Sequence, residues 1–251
     1  MLKKRIIARI DIKNEFVIKG IHLEGLRKIG NPIDLAKKYF ESGIDEIIFM
    51  DAVASLYGRN NLLNIIENAS KEVFIPITIG GGIRNLDDIE LALNSGADKI
   101  AINTQAIRTP ELIKEASRRY GSQCIVGSIE AKKTGNFYEA YIENGRQPTG
   151  IDAIQWACEL QDLGVGELFI TSIDQEGTKK GFDANLANLI SQKTNIPLIM
   201  SGGAGNLEHI INFIDETKIS AVALASLLHY NINSISQVKE SLIENGQKIR
   251  L

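Results

Sequence analysis

The chain has 251 residues, a formal net charge of −3 and 44% hydrophobic residues. That length suits one α/β barrel and a sizeable buried core. The slightly acidic balance argues against nucleic-acid binding or a basic membrane surface, and no apolar run approaches the roughly 18 residues that a membrane-spanning helix needs. Two cysteines, Cys124 and Cys158, make no disulfide framework, so a cytoplasmic setting is expected. The opening Met1-Leu2-Lys3-Lys4-Arg5 runs straight into an apolar segment with no small-residue cleavage site. It reads as the mature start, not a signal peptide.

Apolar runs of strand length alternate with helix-length amphipathic segments. The strands are expected at Arg5–Ile10, Glu46–Met50, Ile75–Ile79, Lys99–Ile102, Cys124–Ile129, Glu167–Thr171, Pro197–Met200 and Ser220–Leu224. Helices are expected at Pro32–Ser42, Asn60–Ser70, Leu86–Asn94, Glu111–Tyr120, Ala153–Leu163, Ala184–Lys193, Leu207–Thr217 and Ile235–Glu244. Asn85 is placed to cap the third helix, and Pro110 falls at the first position of the fourth. Eight strands alternating with eight helices imply a (β/α)8 TIM barrel, read as one domain over residues 1–251. Asn14–Asn31 is long for a loop after a strand and carries Gly20, Gly25 and Gly30, which suggests a lid. Lys133–Gly150 contains an expected hairpin, Phe137–Ile142 turning at Glu143-Asn144-Gly145.

The halves of the chain echo each other. Ile77-Thr78-Ile79-Gly80-Gly81-Gly82 recurs as Leu198-Ile199-Met200-Ser201-Gly202-Gly203. Arg5–Lys13 resembles Cys124–Lys132, Glu46–Asp51 resembles Glu167–Ser172, and Lys99–Thr104 resembles Ala221–Ser226. All four pairs keep an offset near 120 residues, which points to half-barrel duplication.

Groups at the C-terminal ends of barrel strands carry the chemistry of this fold. Asp11 ends the first strand and Glu130 the fifth, on opposite sides of the ring. Two facing carboxylates suit general acid and general base work. Each could instead pair with the lysine two positions on, Lys13 or Lys132. Gly202 and Gly203, with Ala225 and Ser226, occupy the usual phosphate-binding place after strands seven and eight. Gly81 and Gly82, with Asn103 and Thr104, duplicate it. A substrate phosphorylated at both ends would span the mouth with its middle between the acids. The turn Asp174-Gln175-Glu176-Gly177-Thr178 adds backbone donors beside the second set, with Asp174 and Gly177 as candidate contacts. At the opposite face, Arg5, Glu46, Lys99 and Glu167 begin strands with alternating charge, which invites a gate.

These residues resemble the cyclase subunit of imidazole glycerol phosphate synthase, over essentially the whole chain. The matching stretches include Lys3–Ala8, Val73–Gly82, Gly96–Lys99, Gly121–Gln123, Leu168–Gly177 and Ser201–Gly205. The resemblance implies a bis-phosphorylated ribulosyl aminoimidazole carboxamide nucleotide as substrate. It implies ammonia from a separate glutaminase subunit, docked on the N-terminal barrel face and feeding the barrel interior. The products would be imidazole glycerol phosphate and aminoimidazole carboxamide ribotide, with no metal or organic cofactor. The family's acid/base pair falls on Asp11 and Glu130, its ammonia gate on Arg5, Glu46, Lys99 and Glu167, and its lid lysine on Lys19. Asp98 and Gln123 fall where the family meets its glutaminase. Two positions depart from the pattern. The second acid is usually Asp, and residue 9 is usually small and uncharged where this chain has Arg9. On strand parity Arg9 points into the barrel beside Asp11, as a candidate specificity residue. Two further readings stay open here: a paralogue amidinating a surface-glycan sugar, and a non-catalytic scaffold activating a glutaminase.

Overall fold

A computed structural model describes residues 3–53 and 62–250. The expected helix over 60–70 begins outside that range and is seen as Leu62–Ala69. Among the described residues, twelve strands form one sheet. They are β1 (Arg5–Lys13), β2 (Phe16–Ile21), β3 (Glu24–Gly30), β4 (Glu46–Asp51), β5 (Ile77–Gly80), β6 (Lys99–Ile102), β7 (Ile125–Thr134), β8 (Phe137–Ile142), β9 (Gln147–Asp152), β10 (Glu167–Ser172), β11 (Leu198–Ser201) and β12 (Ala221–Leu224). Eight of these, β1, β4, β5, β6, β7, β10, β11 and β12, pair in parallel and close through β10 on β7. Helices lie between them, so the fold is the expected (β/α)8 barrel.

The chain buries each layer for a plain reason. The strands are rich in Ile, Val, Leu and Ala and buried on both faces because helices cover the outside. One core lies between sheet and helices; a smaller one fills the barrel with Ile7, Ile48, Ala101, Val126, Phe169, Ile199, Ala221 and Ala223. Helix starts follow the sequence signals. The Asn85 side chain accepts from Asp88 N at 2.9 Å, and Asn206, its counterpart in the second half, accepts from His209 N at 2.8 Å. Pro110 stands just before the helix Glu111–Tyr120, already at helical angles, rather than inside it.

Two expectations change. The segment expected as a loop over Asn14–Asn31 is mostly the antiparallel hairpin β2–β3, which extends β1 beyond the barrel. Its glycines suggested loop, but the aromatic and β-branched run Phe16-Val17-Ile18 carries strand character. Gly20 fits because a Cβ there would lie 2.0 Å from Glu24 O. The corresponding extension of β7 is β8, as expected, continued by β9. Cys124 belongs to a 3-10 turn, Ser122–Cys124, not to β7.

The duplication is visible in three dimensions. Both β1 and β7 continue into a hairpin at the barrel top. Asn103 and Ala225 share an unusual backbone (φ −113°, ψ −83° and φ −127°, ψ −79°), and each opens a short helix, Thr104–Arg108 and Ser226–His229.

Candidate active site

At the top of the barrel, Asp11 and Glu130 are both buried, at 6% and 5% exposure. Neither pairs with the lysine two positions on; Lys13 and Lys132 are exposed. The environments of the two acids differ. Arg9 Nε donates to Asp11 Oδ1 at 2.8 Å, and Lys19 Nζ lies 3.5 Å from Oδ2. Burial by itself would raise the Asp11 carboxyl, but the Arg9 and Lys19 charges outweigh it and hold it below the ordinary carboxylate range. Glu130 Oε2 accepts from Asn103 Nδ2 at 2.9 Å and from Gly145 N at 2.8 Å, both neutral donors. Burial pushes Glu130 up to about 7, with Arg9 and the Gly145 N–H opposing. A pair of carboxyls pushed apart in this way has one member suited to donate a proton and one to accept it.

Arg9 points inward, as strand parity requires. It is 1% exposed. Its Nη1 donates to Thr171 Oγ1 at 2.8 Å and to Ser201 Oγ at 3.2 Å, and its guanidinium stands 5.5 Å over the Phe169 ring. Lys19, on β2, donates to the buried carboxylate of Glu176 and is lowered by burial to about 8, against the pull of Asp11. Glu176 is not singled out by the sequence, where Asp174 in the same turn is the candidate. Asp174 faces elsewhere: its Oδ2 accepts from Lys133 N at 2.8 Å. The available signal was Lys19 itself, because a buried lysine calls for a carboxylate partner. His229, packed near this cluster and bonded through Nδ1 to Tyr39 Oη at 2.7 Å, is not singled out either. Burial and the Lys19 charge lower it to about 4, so it is neutral at pH 7.

The two glycine sets sit at the rim as expected. Gly81, Gly82, Asn103 and Thr104 line a cavity of about 110 Å³ that reaches Glu130 and includes Arg84 and Arg108. Gly177, Gly202, Gly203, Ala225 and Ser226 line a smaller recess across the mouth, with Lys179. The glycines also answer to the backbone. Gly81 (φ 97°) and Gly203 (φ 107°) would bring a Cβ within 2.4 Å of Asp51 O and 1.8 Å of Gly181 O. Gly203→Ala is therefore expected to cost about 1–3 kcal/mol in a denaturant melt and to displace this rim.

Both hairpins lean over the mouth. His22 N donates to Glu176 O, and His22 Nδ1 bonds Ile173 O, each at 2.8 Å. A Cβ on Gly145, in the β8–β9 turn, would meet Leu23 of the β2–β3 turn at 2.8 Å. The mouth is thus roofed by the duplicated hairpins in contact with each other.

At the floor, Arg5 pairs with Glu46 at 2.8 Å and with Glu167; Lys99 pairs with Glu167 at 2.9 Å and with Glu46 at 3.2 Å. Each cation bridges both carboxylates, which makes a closed ring beneath the apolar layer. Asp98 and Gln123 lie at the same end. Asp98 Oδ2 accepts from Ile77 N at 2.8 Å, while Gln123 is exposed. Phe74, also at this end, is 76% exposed. Among the described residues, no group of three His, Cys, Asp or Glu side chains gathers as a metal site, and no helix is long and apolar enough to cross a membrane.

Comparison with known proteins agrees with this geometry. A family model described as "Histidine biosynthesis protein" matches residues 5–234. The chain is 42% identical over 251 residues, all of both chains, to "Imidazole glycerol phosphate synthase subunit HisF" of Streptococcus mutans serotype c (strain ATCC 700610 / UA159). Full-length identity at that level, on a duplicated barrel with opposed acids, places the chain in the histidine biosynthesis protein family, as a homologue of the cyclase subunit of imidazole glycerol phosphate synthase.

Proposed function

We propose that the barrel mouth performs the ammonia-dependent cyclase step of imidazole glycerol phosphate formation, with Glu130 as proton donor and Asp11 as base. The observation that carries this reading is the pair of opposed buried carboxyls in unlike environments, set between two mirrored glycine rims. A substrate with a phosphate at each end would rest one on Gly81-Gly82 with Asn103-Thr104 and the other on Gly202-Gly203 with Ala225-Ser226, near Gly177. Backbone N–H groups and short helix starts in both rims suit anions. Ammonia nitrogen would then add to the ribulosyl carbonyl carbon. The carbonyl oxygen would take a proton from Glu130, and the new ammonium group would lose one to Asp11. Lys19 supports the negative charge on Asp11. Cleavage and ring closure would follow within the roofed mouth, shielded from water.

Ammonia would come from a glutaminase subunit seated on the floor, beside the ion ring, Asp98 and Gln123. The exposed Phe74 supports docking there, because aromatic side chains serve as interface anchors. The apolar layer above the ring suits neutral ammonia and disfavours ammonium ion. A cytoplasmic setting fits a soluble biosynthetic pair of this kind.

Lys99→Ala tests the floor. It opens one side of the ring and leaves Glu46 and Glu167 sharing Arg5. The expected result is that more glutamine is consumed per product formed in the assembled enzyme, while free ammonia still supports turnover. An unchanged ratio of glutamine used to product formed would sink the gate.

A further inference from the structure

We propose that Arg9 is a positioning residue that commits Asp11 to the base role and leaves proton donation to Glu130. The duplicated fold supplies the internal control. Asp11 and Glu130 are equivalent strand ends of the two halves. Two residues before each, on the same inward face, stand Arg9 and Ser128. Ser128 is small and buried at 2%. Only one of the two equivalent acids therefore has a cation two residues before it on the inward face of its strand.

The arginine is held in place. Nε goes to Asp11, Nη1 goes to the hydroxyls of Thr171 on β10 and Ser201 on β11, and the flat of the guanidinium rests over Phe169. A planar fork fixed at these points presents Nε–H to one carboxylate oxygen, a geometry lysine lacks. It also sits between the apolar layer and the acids, where a charge–charge interaction is poorly screened.

The groups facing Asp11 come from several elements. Arg9 lies on its own strand, Lys19 on β2 and His229 on the short helix Ser226–His229. Glu176, after β10, engages Lys19, and Glu130 faces from β7. Lys19 rides on the β2–β3 hairpin, whereas Arg9 is part of the barrel wall. Arg9 therefore engages Asp11 from the barrel wall itself, independently of the hairpin contact that Lys19 makes.

The catalytic meaning of this inference rests on the cyclase reading, but its test requires no substrate. The full chain is labelled with 13C at aspartate carboxyl carbons and titrated by NMR, with Asp11→Asn identifying the Asp11 line. In the parent, that line should hold its carboxylate position from pH 8 down to pH 5. In Arg9→Met, which keeps apolar contact with Phe169, and in Arg9→Gln, which keeps an N–H donor, its midpoint should rise by about one pH unit or more, a tenfold change in proton affinity. Arg9→Lys should recover part of the shift. The acid limb of kcat with free ammonia should move with the NMR midpoint. An Asp11 midpoint unchanged in a folded Arg9→Met or Arg9→Gln protein overturns the proposal. Loss of the cyclase assay alone, with the titration as expected, would count against the function and leave the Arg9 role standing.

Discussion

Asp11→Asn should lower ammonia-dependent turnover by about 10²- to 10⁴-fold, the range that a positioned general base supplies. Asparagine keeps the size of the side chain and one oxygen for Arg9 Nε, so the loss isolates the charge. The same change leaves Arg9 and Lys19 in a buried site with one carboxylate, Glu176, in place of two. Breaking one side of such a cluster costs about 3–5 kcal/mol where the remaining charge is fully buried. Lys19, already lowered to about 8, can relieve part of that cost by releasing its proton. A denaturant melt beside the turnover assay separates the two effects. Lost turnover in a folded protein assigns the base, whereas retained turnover would remove Asp11 from the chemistry.

Glu130→Gln should do two opposite things. Turnover should fall on the scale of a lost general acid, again about 10²- to 10⁴-fold. Stability at pH 8 should rise. The folded-state carboxyl is raised to about 7, above its unfolded value, so between about 4.5 and 7 the folded protein holds more protons than the unfolded chain. Stability then falls as pH rises through that window and stays at its lower level above it. Glutamine is neutral throughout, and its amide oxygen can still accept from Asn103 Nδ2 and Gly145 N. The variant should therefore gain up to about 3 kcal/mol over the parent at pH 8 and almost nothing at pH 4, by the 1.36 kcal/mol per unit that links a shift to stability. Denaturant midpoints at the two pH values check this. An equal change at both would mean that Glu130 is not held near neutrality. The gain is the usual mark of a functional site kept at a cost in stability.

Most of the barrel was legible because its signals are periodic. Buried parallel strands are apolar on both faces, and Asn85, Pro110 and the glycine rims punctuate the segments between them. The first hairpin was less legible. Gly20, Gly25 and Gly30 signal loop, and only a close approach of Gly20 to Glu24 explains a glycine inside β2. At the site, the repeat singled out Asp11 and Glu130 from other strand-end carboxylates as an acid/base pair, without saying which donates the proton and which accepts it. Their unlike environments come from groups far apart in the chain: Lys19 on a hairpin, Glu176 on a loop after β10, and Gly145 on a turn after β8. Arg9 was flagged from strand parity, but its anchoring on Thr171 and Ser201 is a cross-barrel contact that no local pattern encodes. The floor charges were legible as a set of alternating sign; which cation meets which carboxylate required the barrel to close.

The most direct measurement is an absorbance assay of the isolated chain with the bis-phosphorylated ribulosyl aminoimidazole carboxamide nucleotide and excess ammonium salt near pH 8, where both unprotonated ammonia and a fraction of protonated Glu130 are present. The account predicts consumption of the nucleotide with formation of imidazole glycerol phosphate, strictly dependent on ammonia and needing no glutaminase. Folded protein that leaves the nucleotide untouched, or that consumes it equally well without ammonia, would contradict it.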